Sequence, residues 1–252
     1  MYGSTALRER NTLGLVLLVA MDFRRVAGTS AVAGPIIFSA AWLVAWAVQD
    51  EYSPRHEDIS ALAALDADHP WIMVTGFLAL GLGTTLLGLG LGLGRASALA
   101  GGFSALVGAL LVTVAGVGIL VAGLARNDCS SELAACAARA DAGDVSWHHE
   151  LHDLVSLVVF LALVAAQLVL ARAFGRDARW HDLRKYSIVS GALTFALLVL
   201  YGSGAIGDSN GLVQRIFTAV PFVWIAVLGL RLRRVAAAPA AALETIDGQS
   251  PL

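Results

Sequence analysis

A chain of 252 residues that is 58% apolar and only 14% charged, with a mean hydropathy of +0.74, has too few charges to cover a water-facing surface; soluble domains carry about 25%. Its net charge of −2, with no basic patch interleaved with aromatics, leaves no case for nucleic acid as a partner. The class that remains is an all-α, polytopic membrane helical bundle, because a run of about 20 apolar residues is enough for one helical crossing.

Residues 1–25 read as an N-terminal cytoplasmic segment. Within it, Thr12 to Met21 is apolar but too short to span. It is either an interfacial segment or sequence upstream of a true start at Met21, where "MDFRR" precedes the first long apolar run. A signal peptide is the weaker reading, since no small-x-small cleavage site follows the run. Residues 26–232 form the transmembrane domain, with spans expected at about 26–49, 70–94, 98–124, 152–172, 186–206 and 211–231. Pro35 falls inside the first and should kink or thin it; Pro70 stands where proline suits a helix start. Between spans lie an acidic loop (Asp50 to His69), a long loop (Arg126 to Glu150) and a basic loop (Arg172 to Lys185). Residues 233–252 read as a disordered cytoplasmic tail rich in Ala and Pro.

Orientation follows from the basic residues. With the N-terminus inside, thirteen of the 17 Lys and Arg fall on the cytoplasmic side, and only Arg55, Arg126, Arg139 and Arg215 fall outside. The expectation is six transmembrane helices, N-in and C-in, in the plasma membrane. Cys129 and Cys136 then sit in an external loop, where thiols oxidise, and a disulfide between them is expected. Seven residues along a straight helix would hold their Cα atoms about 10 Å apart, beyond the roughly 7 Å a disulfide tolerates, so "CSSELAAC" must bend back on itself. Thirteen of the 26 glycines lie between Gly76 and Gly123, which predicts a closely packed hairpin of the second and third spans.

Unusual polar residues gather at one membrane level. The segment "DVSWHHELHD" opens the fourth span with His148, His149, His152 and Asp153. On a helix from Ser146, His148 and His152 share a face, and imidazoles at that spacing can ligate Zn²⁺ with a carboxylate and a water. Further ligands would have to come from Asp66, Asp68 or His69; the alternative is a solvated interfacial helix start anchored by Trp147. Arg215, beside Gln214, lies just inside the last span. Either it snorkels to water, or it faces inward and pairs with Asp153 or Asp208.

"YSPRHEDISALAALDADHPW", "WHHELHD", "RKYSIVSGALTF" and "GLVQR" resemble the bacterial and archaeal membrane family catalogued as domain of unknown function 998. The resemblance covers about Gly34 to Leu232. Its recognisable marks fall on Tyr52, Ser53, Ile59, Ser60, His152, Gly211, Leu212, Gln214 and Arg215. It implies a six-span integral membrane protein and supplies no reaction.

Three functions compete. The favoured one is a non-enzymatic protein holding a lipid, a small amphiphile or a protein partner in a polar-lined pocket at the outer face. Tyr52, Ser60, His149, His152, Asp153, Gln214 and Arg215 would be the binding residues, with Arg215 and His152 meeting an anionic headgroup. No resident cofactor is needed for this. The second is a metal-dependent intramembrane hydrolase of lipid esters or amides, using His152, Asp153 and Ser60 with Zn²⁺. The third is a secondary transporter, against which stand the absence of acidic residues inside the spans and of a visible inverted repeat.

Overall fold

A computed structural model of the chain describes the backbone of residues 3–92, 98–100, 102–130 and 133–247, and within these the side chains between 19 and 237. Arg8, Arg10 and Arg95, which entered the charge argument, have side chains outside the described residues.

The fold is all helical among the described residues: α1 (Gly3–Val48), α2 (Pro70–Gly92), α3 (Phe103–Leu124), the short α4 (Ala134–Asp141), α5 (Trp147–Phe174), α6 (Leu183–Gly202) and α7 (Asn210–Asp247). Two 3-10 turns, Ile59–Ala63 and Gly207–Ser209, lie in the connections. Among the described residues, six stretches are long and apolar enough to cross a membrane: Val19–Val48, Pro70–Gly92, Phe103–Leu124, Trp147–Phe174, Leu183–Gly202 and Gly207–Ala237. α1 continues through Pro35, and it and α7 both run past the sequence-based boundaries at residues 26 and 232. The exposed surface is lined with large apolar side chains such as Ile36, Leu106, Leu110, Val189 and Val223, as expected of helices whose solvent is lipid.

The helices close a ring. Each of α1, α2, α3, α5, α6 and α7 packs against the next, and α7 returns to α1; α6 has the sparsest contacts with its neighbours. The α2–α3 hairpin is as close as the glycines predict. A Cβ on Gly116 would stand 2.3 Å from Thr85 N, and one on Gly88 would stand 2.6 Å from Thr113 N. Only glycine lets the two backbones approach so far.

The two ends of the ring differ. At one end, residues 98–100 and 175–182 are locked together. Asp177 accepts from Ala100 N at 2.8 Å and is paired with Arg179 at 2.7 Å, and Trp180 donates to Ala98 O at 3.0 Å while stacking on Phe174. Side-chain hydrogen bonds from Arg179, against the opposing effect of burial, hold the Asp177 carboxyl down at about 2. Arg231 and Asp182 form a further pair. The loops 49–69, 125–146 and 203–209 meet at the other end, where the polar cluster lies.

Candidate functional site

The three histidines of "WHHELHD" bind backbone, because α3 ends there with carbonyls that no helical N–H can reach. His152 Nδ1 lies 2.8 Å from Ala122 O and 2.9 Å from Ala125 O. His148 Nδ1 lies 2.6 Å from Arg126 O. His149 works in the opposite sense, its Nδ1 accepting from Asp128 N at 3.1 Å. Ser146 is the N-cap of α5, and its N–H and Oγ–H both donate to Asp128 at 2.6 and 2.8 Å. Burial works to raise the Asp128 carboxyl, but these bonds and the nearby His148 and His149 outweigh it and keep it below the usual range. The cluster is therefore a clasp between the end of α3 and the start of α5.

The expected metal ligands do not share one site in this geometry. No three His, Cys, Asp or Glu side chains converge on one point among the described residues. His148 Nδ1 is directed to Arg126 O and Ser146 Oγ, His149 Nδ1 to Asp128 N and His152 Nδ1 to Ala122 O and Ala125 O, while Asp153 lies 3.7 Å from His149 Nε2. Asp66, Asp68 and His69 are exposed, Asp68 accepting from Asp50 N. Nor do Ser60, His152 and Asp153 form a nucleophile–base–acid chain, since His152 turns its Nδ1 to carbonyls rather than to Asp153.

A second clasp holds the 50–63 segment on the start of α7. Arg215 donates to Glu57 O at 2.9 Å, to Gly211 O at 2.7 Å and to the Tyr52 hydroxyl, with its guanidinium over the rings of Trp42 (5.2 Å) and Tyr52 (5.7 Å). The expected pairing of Arg215 with Asp153 or Asp208 is not formed. The guanidinium is taken instead by a carbonyl of the 50–58 segment, a carbonyl of the first turn of α7 and the Tyr52 hydroxyl. Tyr52 in turn donates to Asp58 O at 2.9 Å. Burial pushes the Tyr52 phenol up, against the pull of Arg215, so it stays protonated and able to donate. Gln214 Oε1 accepts from Ile59 N at 2.7 Å. Gly211 is obligatory here, because a Cβ would stand 2.3 Å from Glu57 O. Arg126 ties the two clasps together by donating to Ala63 O at 2.7 Å and Ala64 O at 2.6 Å. The expected disulfide joins Cys129 to Cys136 with Cα atoms 5.9 Å apart. The bend it needs comes from the chain turning into α4 between them.

Beneath both clasps, inside the ring, lies a cavity of about 370 Å³. Its rim is polar, with Asp58, Ser60, Asn127, His152, Asp153 and Tyr201, and its floor is apolar, with Phe38, Phe77, Leu80, Ile119 and Phe222. Phe38 precedes the end of α1 by ten residues and Phe222 follows the start of α7 by twelve. At 1.5 Å per residue the floor lies about 15–18 Å down, near the middle of an about 30 Å hydrocarbon core. The exposed lining residues are Asp153 and Leu157 on α5 and Gly202 at the end of α6. The cavity therefore opens sideways between α5 and α6, beside the helix that packs least against its neighbours.

Of the residues picked out from sequence, Ser60, His152, Asp153 and Gln214 line this cavity, whereas Tyr52, His149 and Arg215 brace its roof. Sequence reasoning missed Asn127. It is 4% exposed, lines the cavity, and its Oδ1 has no hydrogen-bond partner. Nothing in "LARNDC" marks it, because its place depends on where the chain turns after α3. Tyr201, whose hydroxyl donates to Asp58 Oδ2, and Ser156 and Thr218 on the walls were equally hidden as cavity residues.

A family model described as "Protein of unknown function (DUF998)" matches residues 32–231. No curated protein and no solved structure matches the chain.

Proposed function

We propose that this chain, which belongs to the DUF998 family, is a binding protein that takes a single-chain amphiphile from one membrane leaflet into the ring. The observation that carries the reading is the cavity itself, polar at the membrane–water level, apolar to mid-bilayer depth, and open sideways between α5 and α6. Its volume lies within the roughly 300–1,000 Å³ of small-molecule sites. A volume near the lower end of that range fits one short chain with its headgroup and not a two-tailed lipid. The clasps have a clear use in this reading. A roof made of carbonyls, His, Gln and Arg side chains keeps the polar rim in place while the α5–α6 side remains loose enough to admit a ligand.

The biased distribution of Arg and Lys supports a plasma-membrane protein with both termini cytoplasmic and the cavity in the outer leaflet. The disulfide at the cavity end fits the same orientation.

The test is photocrosslinking with a diazirine-bearing decanol in lipid nanodiscs. Label should map to cavity residues of α5 and α7. Ser156→Trp, which fills the cavity, should abolish it, and Leu154→Trp on the exposed face of α5 should not. Equal labelling of the two variants overturns the proposal.

A further inference from the structure

A second recess lies on the outside of the ring, at the same end as the cavity. It is a groove of about 490 Å³ where the start of α2, the end of α3 and the start of α5 meet. Leu65, Trp71, Leu124, Arg126, Trp147 and Leu151 line it, and it shares no lining residue with the cavity. Trp71 is the second residue of α2, Leu124 the last of α3 and Trp147 the first of α5, so the groove sits where water meets lipid. Trp71 and Trp147 are 66% and 73% exposed, whereas Trp180 and Trp224 are fully buried. Indoles left open at this level suit the headgroup region, where one side of the ring is wet and the other is in hydrocarbon.

Arg126 brings the charge. Its Nε and Nη2 donate to Ala63 O and Ala64 O, and its guanidinium lies 5.3 Å from the centre of the Trp71 ring. These contacts fix the plane of the fork and leave Nη1 without an acceptor among the described residues. Burial pushes the guanidinium pKa down, and no carboxylate among the described residues offsets that effect. A cation partly withdrawn from water and lacking an acid is stabilised by an anion that comes to it. Below the groove the apolar surface continues down α3. Val117, Val114, Leu110 and Leu106 are exposed and follow Leu124 and Val121 at spacings of three and four, which keeps them on one face. From Leu124 to Val114 that stripe runs about 15 Å at 1.5 Å per residue, half of an about 30 Å hydrocarbon core and so the depth of one leaflet.

We propose that this groove binds the phosphodiester of a membrane phospholipid, with Arg126 Nη1 donating to a phosphate oxygen between the two indoles and the acyl chains lying along the α3 stripe. Guanidinium donors held in a fixed plane match phosphate oxygens. A free phosphate would use the guanidinium alone and would leave the indoles and the stripe uncovered, so the occupant is a lipid. The site is independent of the cavity, and either can stand without the other.

The test is native mass spectrometry of the whole chain in a non-ionic detergent, titrated with dioleoylphosphatidylglycerol, dioleoylglycerol and inorganic phosphate. Arg126→Gln should lower the affinity for one phosphatidylglycerol per chain by at least about tenfold, as expected for a lost charge-assisted hydrogen bond. Because Arg126 also holds Ala63 and Ala64, a second variant avoids its structural role. Leu65→Glu puts a carboxylate at an exposed position of the groove and should weaken the same binding event at least about tenfold. Leu133→Glu, equally charged and equally exposed at the same end but off the groove, should leave it unchanged. Dioleoylglycerol, which has the tails without the phosphate, should bind at least about tenfold more weakly, and inorganic phosphate at the lipid's saturating concentration should not compete. Leu65→Glu and Leu133→Glu binding phosphatidylglycerol alike overturns the groove. Dioleoylglycerol binding as tightly as phosphatidylglycerol overturns the role of the phosphate. Competition by inorganic phosphate at that concentration overturns the lipid and leaves an anion site, and no saturable binding of phosphatidylglycerol overturns the proposal outright.

Discussion

Replacing Arg215 by Met tests the roof of the cavity most directly. Met retains much of the apolar stem that packs beside Trp42 and Tyr52 and deletes only the guanidinium. Two bonds then vanish between elements, to Glu57 O and to the Tyr52 hydroxyl; the third, to Gly211 O, lies within α7 itself. Hydrogen bonds to charged groups contribute about 1.5–3 kcal/mol each, and the two ring contacts add about 0.5–1 kcal/mol apiece. Against this, Arg215 Nε is buried without a partner, which costs about 1–3 kcal/mol in the native protein and disappears in the variant. The net loss is about 3–5 kcal/mol. It should be measured as unfolding free energy in mixed detergent micelles, together with two double-mutant cycles. Arg215→Met with Tyr52→Phe should be coupled by about 1–2 kcal/mol, because the groups touch. Arg215→Met with Asp208→Asn should be additive within about 0.5 kcal/mol. A variant as stable as the parent protein, or coupling to Asp208 without coupling to Tyr52, would refute the clasp.

Gly211→Ala puts a methyl group 2.3 Å from Glu57 O and should destabilise by about 1–3 kcal/mol, seen as a lower melting temperature than that of a Gly202→Ala control, where a Cβ meets nothing within 4 Å. At the opposite end, Asp177→Asn removes a carboxylate whose folded value has moved from 3.8 to about 2. At about 1.4 kcal/mol per unit this is about 2 kcal/mol. A depressed carboxyl stabilises above its unfolded value and loses that contribution as pH falls through the folded one, so the gap between variant and parent should be full above pH 4 and close toward about pH 2. Titration of melting temperature with pH in detergent measures it, and a gap independent of pH would contradict the Arg179 pairing. Cys129 and Cys136 should resist an impermeant maleimide on intact cells until reductant is added, then both should label; labelling without reductant, or only after lysis, would contradict the disulfide or the orientation.

Much of this protein was legible before any coordinates. Six helices follow from uncharged runs long enough to satisfy every backbone group internally across a bilayer, a requirement that each run meets alone. The close α2–α3 hairpin was equally local in origin, since the glycine spacing that permits it is written in one continuous stretch. The gathering of polar residues at one level needed only the span order, and Ser60, His152, Asp153 and Gln214 lie together on the wall of one cavity. What those groups touch was a different matter. His148, His149 and His152 looked like ligands because sequence shows spacing along a helix and cannot show the unsatisfied carbonyls of α3 arriving beside them. Arg215 looked as though it needed an acid, yet loop 50–63 folds back to present the Glu57 carbonyl and Tyr52 instead. Asn127 could not be found at all, for its burial against the cavity exists only once the chain has turned after α3. Secondary structure in lipid is decided within each segment, whereas hydrogen-bond partnership is decided between segments far apart in the chain, and the cavity with its polar rim belongs wholly to the second kind.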